Sequence, residues 1–188
     1  MSGKADKTVV LLGDSLTEHG QFPLTEALPG ISLRNLGVSG DTTWGMLARL
    51  HAIWDPDPDF VFLLVGINDL GQGERPPDIV VRHVRLWEAI LGEDKPPVLV
   101  LHPLLPVNPR RFPSGDWGLG NTAIFDLNFH LEVQASKKAI PILDFRGPLM
   151  DPMGDLKDEF TLDGLHLLPP AYEFWDKELR DFLKARIG

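Results

Sequence analysis

Thr8-Val9-Val10-Leu11-Leu12-Gly13-Asp14-Ser15-Leu16-Thr17-Glu18 is a β-branched, apolar run that breaks off abruptly into Gly-Asp-Ser. A short apolar run without alternation predicts a strand covered on both faces, as strands of a parallel sheet are. Working outward, residues 31–36, 60–65, 98–102 and 140–144 read as four further strands, and 60–65 and 98–102 are again almost continuously apolar. The stretches between them carry a helical period. Trp44, Leu47, Leu50 and Trp54 fall at spacings of three and four, as do Val80, Val84, Trp87 and Leu91, and then Ile124, Leu127 and Leu131. Tyr172, Trp175, Leu179 and Phe182 share one face of a last helix, with Pro169 and Pro170 suited to its first turn. All these apolar stripes are expected to face the core. Alternating strands and helices predict an α/β fold: a parallel sheet with right-handed crossovers and helices on both faces. In such sheets ligands bind outside the carboxyl ends of the strands, so the segments after the strands should hold the chemistry.

Composition narrows the class. A chain of 188 residues, 43% of them hydrophobic, suits one domain spanning residues 1–188 with a sizeable core. The formal charge of −9 repels phosphate backbones and anionic lipid, so neither nucleic acid nor a membrane surface is expected as principal partner. The absence of cysteine excludes disulfides, thiolate-bound zinc, iron–sulfur clusters and a Cys nucleophile. The longest apolar stretch, residues 98–107, is interrupted by His102, Pro103 and Pro106 and cannot span a bilayer. The first residues lack the apolar centre of a signal peptide, and a cytoplasmic location is the expectation.

Four strand-end segments stand out. They are Gly13-Asp14-Ser15-Leu16, Gly37-Val38-Ser39-Gly40-Asp41, Gly66-Ile67-Asn68-Asp69 and Asp163-Gly164-Leu165-His166. Each suits one part of acyl transfer. A serine hydroxyl becomes a nucleophile when an imidazole takes its proton. A carboxylate three residues before a histidine can reach the far ring nitrogen and set the tautomer. The tetrahedral intermediate needs preplaced donors, and the N–H groups of Ser15 and Gly40 with the Asn68 amide offer three. Taken singly, each has a plainer reading: Ser15 as a helix cap, Gly37 and Gly40 as turn residues, Asn68-Asp69 as a turn or cap. Asp163 and His166 also suit a local hydrogen-bonded pair or, with Asp14 and Asp69, a metal site for metal-dependent hydrolysis. A non-catalytic small-molecule-binding module would keep the glycine loops without needing Asp163 and His166.

Taken together and in this order, the segments resemble the sequence blocks of the SGNH hydrolases, the GDSL esterases and lipases. Ser15 matches the serine of Gly-Asp-Ser-Leu, Gly40 the glycine of the second block, Asn68 the asparagine of Gly-x-Asn-Asp, and Asp163 and His166 the Asp-x-x-His. The resemblance covers residues 8 to about 175. It implies a flavodoxin-like three-layer α/β/α sandwich with five parallel strands in the order 2-1-3-4-5. It also implies ester hydrolysis on a small-molecule substrate, with Ser15, His166 and Asp163 catalytic and no metal or other cofactor. The Gly-x-Ser-x-Gly elbow of α/β-hydrolases is absent.

Further candidates for substrate contact are Asp14, beside the serine; His102, which ends the fourth strand; and Arg110, Arg111 and Trp117, on the Pro- and Gly-rich connection 103–120. His51, His83 and His130 lie within helical stretches and are expected to be structural or surface residues. His19, four residues past Ser15, is placed to line the pocket.

Overall fold

A computed structural model describes residues 7–112 and 120–187. Four strands, β1 (Lys7–Gly13), β2 (Ile31–Gly37), β3 (Phe60–Leu64) and β4 (Val98–Leu101), form one parallel sheet in the order β2-β1-β3-β4. The central strands are the most apolar: Val9 to Leu12 and Phe60 to Leu64 are buried without alternation. Edge strand β2 is largely half-exposed and carries Arg34 and Asn35. The register sets Gly13 opposite both Gly37 and Leu64, so three strands end on one line. The loops leaving these three strands therefore meet at one edge.

The expected fifth strand is reduced to a single parallel bridge between Leu101 and Ile142. Leu101 N–H donates to Pro141 O, and Leu143 N–H donates to Leu101 O, both at 2.9 Å. The ladder would grow backward through the N–H of residue 141 and forward through that of residue 103. Both are prolines and have none. The segment keeps its place at the sheet edge but not its pairing.

Helices are α1 (Ser15–Glu18), α2 (Leu24–Ala27), α3 (Thr43–Arg49), α4 (Ile67–Gly71), α5 (Pro76–Leu91), α6 (Asn121–Lys137), α7 (Arg146–Leu149) and α8 (Pro169–Ile187). Right-handed crossovers dictate their sides. The path from β1 to β2 moves one way along the sheet and every later crossover moves the other way, so α3, α5 and α6 share one face. Helices α1, α2 and α8 cover the opposite face. The contacts of α5 with α3 and α6, and of α2 with α8, agree with this division. On α8 the predicted stripe is buried as expected, with Trp175 stacked on Phe145 at 4.7 Å between ring centres.

Helix α3 departs from its predicted face. Thr43 and Met46 are buried, while Trp44 is 54% exposed and lies over the Arg82 guanidinium; of the predicted stripe Leu50 is buried, in the 3-10 turn that follows together with Ile53. The helix is rotated because Thr43 is tied down: its N–H and hydroxyl both donate to the buried Asp69 carboxylate. No helix among the described residues is long and apolar enough to cross a membrane.

Candidate active site

The first β-to-α turn decides which side chain is free to react. Asp14 caps α1, its Oδ1 accepting the Leu16 N–H at 3.0 Å. The capping role available to Ser15 thus falls to its neighbour, and the serine begins the helix with its N–H lacking an intrahelical acceptor. Its hydroxyl is left to meet His166: Ser15 Oγ and His166 Nε2 are 3.0 Å apart. His166 Nδ1 in turn lies 2.6 Å from Asp163 Oδ2.

Asp163 and His166 sit on a tight loop that organises itself. Asp163 Oδ1 accepts the N–H groups of Leu165 and His166 at 2.9 and 2.8 Å. Burial by itself would raise the Asp163 carboxyl. The His166 ring and the two N–H groups outweigh it and hold the carboxyl below its ordinary value. The turn needs Gly164, whose φ is +87°. Its carbonyl accepts the N–H of Asn108 at 2.7 Å. Asn108 is fully buried, and its amide is held by Leu156 O and Asp158. No pattern in the sequence marks Asn108 as the anchor of this loop, because the groups it ties together there, Leu156, Asp158 and Gly164, lie 48 to 56 residues away.

The loop after β2 carries Gly40 with φ +76° and open space where a Cβ would stand, so conformation rather than crowding calls for glycine. The next residue, Asp41, pairs with Arg49, which also donates to the carbonyls of Leu36 and Gly13 and so ties the loop to the ends of β1 and β2. Asn68 is buried on α4, and its Nδ2 donates to Asp41 O at 2.8 Å, leaving the second amide hydrogen of that nitrogen for another acceptor. Asp69 faces away into a buried cluster with Thr43 and Arg82. Ser15, Gly40, Asn68, Asp163 and His166 therefore all lie past strand ends at one edge.

Other candidates lie elsewhere. Asp14 is fully buried, and burial pushes its carboxyl up to about 7 against the pull of the Leu16 N–H, so it caps a helix and does not present a surface to substrate. His102 is also a correction. It is 2% exposed, its Nε2 accepts the Trp175 indole N–H at 3.2 Å, and its Nδ1 lies 2.9 Å from Leu143 O. With Nε2 accepting, Nδ1 must carry the proton and donate, so both nitrogens are used inside the core. This bond satisfies the carbonyl that Pro103 cannot. Arg110 and Arg111 flank the Gly164 anchor but are paired, Arg111 with Asp158 at 3.1 Å and Arg110 with Asp151 and Asp158 at 3.7 Å. Trp117 lies outside the described residues. His83 is fully buried with Nε2 at 3.1 Å from Val65 O, and His51 and His130 are exposed. The ring of His19 lies 5.5 Å from that of His166. Among the described residues no group of three His, Asp or Glu side chains is placed to hold a metal ion.

A parallel α/β sandwich with a serine, a histidine and an aspartate joined at its carboxyl edge has the architecture of a hydrolase. The pattern of the GDSL-like lipase/acylhydrolase family matches residues 11–174, and the chain belongs to that family. Membership makes it an ester hydrolase with a small-molecule substrate. Among solved structures it is similar to a Streptococcus pneumonia protein provisionally assigned as a platelet activating factor, at 27% identity and a TM-score of 0.84 over 97% of this chain and 86% of that one. It is similar to a lipase/acylhydrolase from Enterococcus faecalis at 22% identity, TM-score 0.78, over 96% of each chain. A GDSL-like lipase from Bacteroides thetaiotaomicron has the same fold at 21% identity, TM-score 0.77, over 96% of this chain and 89% of that one. No curated protein matches the sequence.

Proposed function

We propose that the protein cleaves carboxylic esters through an acyl-enzyme on Ser15. The observation that carries this reading is the unbroken chain from Ser15 Oγ to His166 Nε2 at 3.0 Å and from His166 Nδ1 to Asp163 Oδ2 at 2.6 Å. His166 takes the serine proton as Oγ attacks the ester carbonyl, and the resulting imidazolium is stabilised by Asp163, whose lowered carboxyl stays ionised. The carbonyl oxygen becomes an oxyanion facing the Ser15 and Gly40 N–H groups and the free hydrogen of the Asn68 amide. His166 Nε2 then protonates the departing alkoxide, and the alcohol leaves. Water, deprotonated by the same nitrogen, releases the acid and restores Ser15.

The test is covalent. A fluorophosphonate should label the protein at Ser15, and Ser15→Ala should neither label nor hydrolyse acyl esters. Labelling at another serine, with Ser15→Ala fully active, would overturn the mechanism.

A further inference from the structure

A groove enclosing about 820 Å³ opens beside His166, between the segment after α1 and the outer face of α8. Its near end is His19, whose ring lies 5.5 Å from that of His166, together with Leu167, the next residue in the chain. Phe22, Pro23 and Tyr172 make an apolar middle. The far end is polar: Glu173, Asp176 and Arg180 succeed one another along α8. From Pro169 to Asp176 the helix rises about 10 Å, and to Arg180 about 16 Å.

Two observations give the far end an excess of acceptors. Asp176 is 5% exposed, its Oδ2 pairs with Arg180 at 2.8 Å, and its Oδ1 is buried without a partner. Glu173 is exposed on the groove wall. One guanidinium thus stands against two carboxylates, and an unpaired buried acceptor costs free energy until a donor reaches it.

The direction of the reaction says which part of an ester would lie here. In the tetrahedral intermediate the oxyanion points to Gly40 and Asn68, and the leaving oxygen must point to His166 Nε2 to be protonated. The alcohol part therefore departs past the His166 ring, where the groove begins. We infer that the groove receives the alcohol part of the ester and selects alcohols that carry a hydrogen-bond donor, a hydroxyl or an ammonium, at the end remote from the ester oxygen. The inference rests on the ester-cleaving reading above.

Acetates on a six-carbon chain test it: hexyl acetate, 6-hydroxyhexyl acetate, 6-aminohexyl acetate and the 6-acetoxyhexanoate anion. The expected order of kcat/KM is ammonium and hydroxyl above alkyl, and alkyl above carboxylate. In Asp176→Asn the ammonium-to-alkyl ratio should fall about tenfold, the scale of one charge-assisted hydrogen bond. Glu173→Gln, an exposed change that does not threaten the fold, should lower the same ratio. Lys177→Ala, whose ammonium is bound to Asp181, should leave it unchanged. Binding is read separately by titrating 6-aminohexanol and hexanol into the protein and tracking amide NMR shifts. Shifts at residues 19–23 and 167–180, larger for the amine, support the groove whether or not the acetates are cleaved, while the ester reading stands or falls separately on fluorophosphonate labelling at Ser15. Acetates cleaved at rates indifferent to the terminal group, with Glu173→Gln and Asp176→Asn both keeping the wild-type ratio, overturn the groove and leave the ester reading standing.

Discussion

Ser15 is free because Asp14 is not. The aspartate takes the cap of α1 and is fully buried in doing so, while the serine hydroxyl points to His166. Asn68 makes a similar division within one amide, giving one N–H to Asp41 O and keeping the other. If that second hydrogen meets the developing oxyanion, Asn68 binds the transition state better than the ester. Asn68→Ala should then lose about 10²–10³ in kcat with KM little changed, since the Ser15 and Gly40 N–H groups remain. The lost bond to Asp41 should also cost about 1 kcal/mol of stability. A folded Asn68→Ala enzyme with wild-type turnover would mean that the oxyanion lies elsewhere.

Loops and strands bring these residues to one edge, and two glycines do so for different reasons. At Gly164 the φ is +87°, and a Cβ would collide with backbone atoms of Phe112 and Asn108. At Gly40 the φ is +76°, but the space is open. An alanine at 40 therefore meets only the left-handed penalty of about 1–2 kcal/mol. One at 164 meets that penalty and must also push the loop off its anchor, moving Asp163 and His166 away from Ser15. Gly164→Ala should consequently melt lower than Gly40→Ala and lose kcat more severely, as calorimetry and ester turnover would show. A Gly164→Ala protein with wild-type Tm would contradict the anchoring role of Asn108. The fifth strand belongs at this scale too: its residues have strand composition, but Pro141 and Pro103 remove the two N–H groups that would extend its pairing.

For the molecule as a whole, two buried histidines link folding to acidity. Burial holds both His83 and His102 at about 4, against smaller opposing pulls from the carbonyls they meet. In the unfolded chain a histidine takes up its proton near 6.5, while in the fold each stays neutral until about pH 4. The unfolded state thus binds more protons across that window, and each histidine removes stability as the pH falls through it, about 2 kcal/mol by pH 5. Asp14 acts in the opposite sense, because its carboxyl, raised to about 7, gains its proton earlier in the fold than out of it. A difference between variants isolates one contribution. His102→Gln should be less stable than wild type at pH 7, but its denaturation free energy should fall less between pH 7 and 5, by about 2 kcal/mol. Parallel losses in the two proteins would show that His102 is not kept neutral by the core.

The parts of this protein written in contiguous residues were legible in the sequence alone. Apolar runs announced the central strands, and their abrupt ends announced where the sheet edge lies. Gly-Asp-Ser and Asp-x-x-His each put chemistry within a few residues of one another, so backbone geometry alone almost determines their contacts. The rest depended on partners distant in sequence. Whether His102 met substrate or core was decided by Trp175 and Leu143, and the rotation that exposed Trp44 by Asp69. Asn108 and Arg49 hold the Gly164 and Gly40 loops through bonds to backbone groups, which any residue type can supply and no motif records. Local pattern specifies which groups are present at the edge; packing between elements decides which of them are spent on structure and which are left to react.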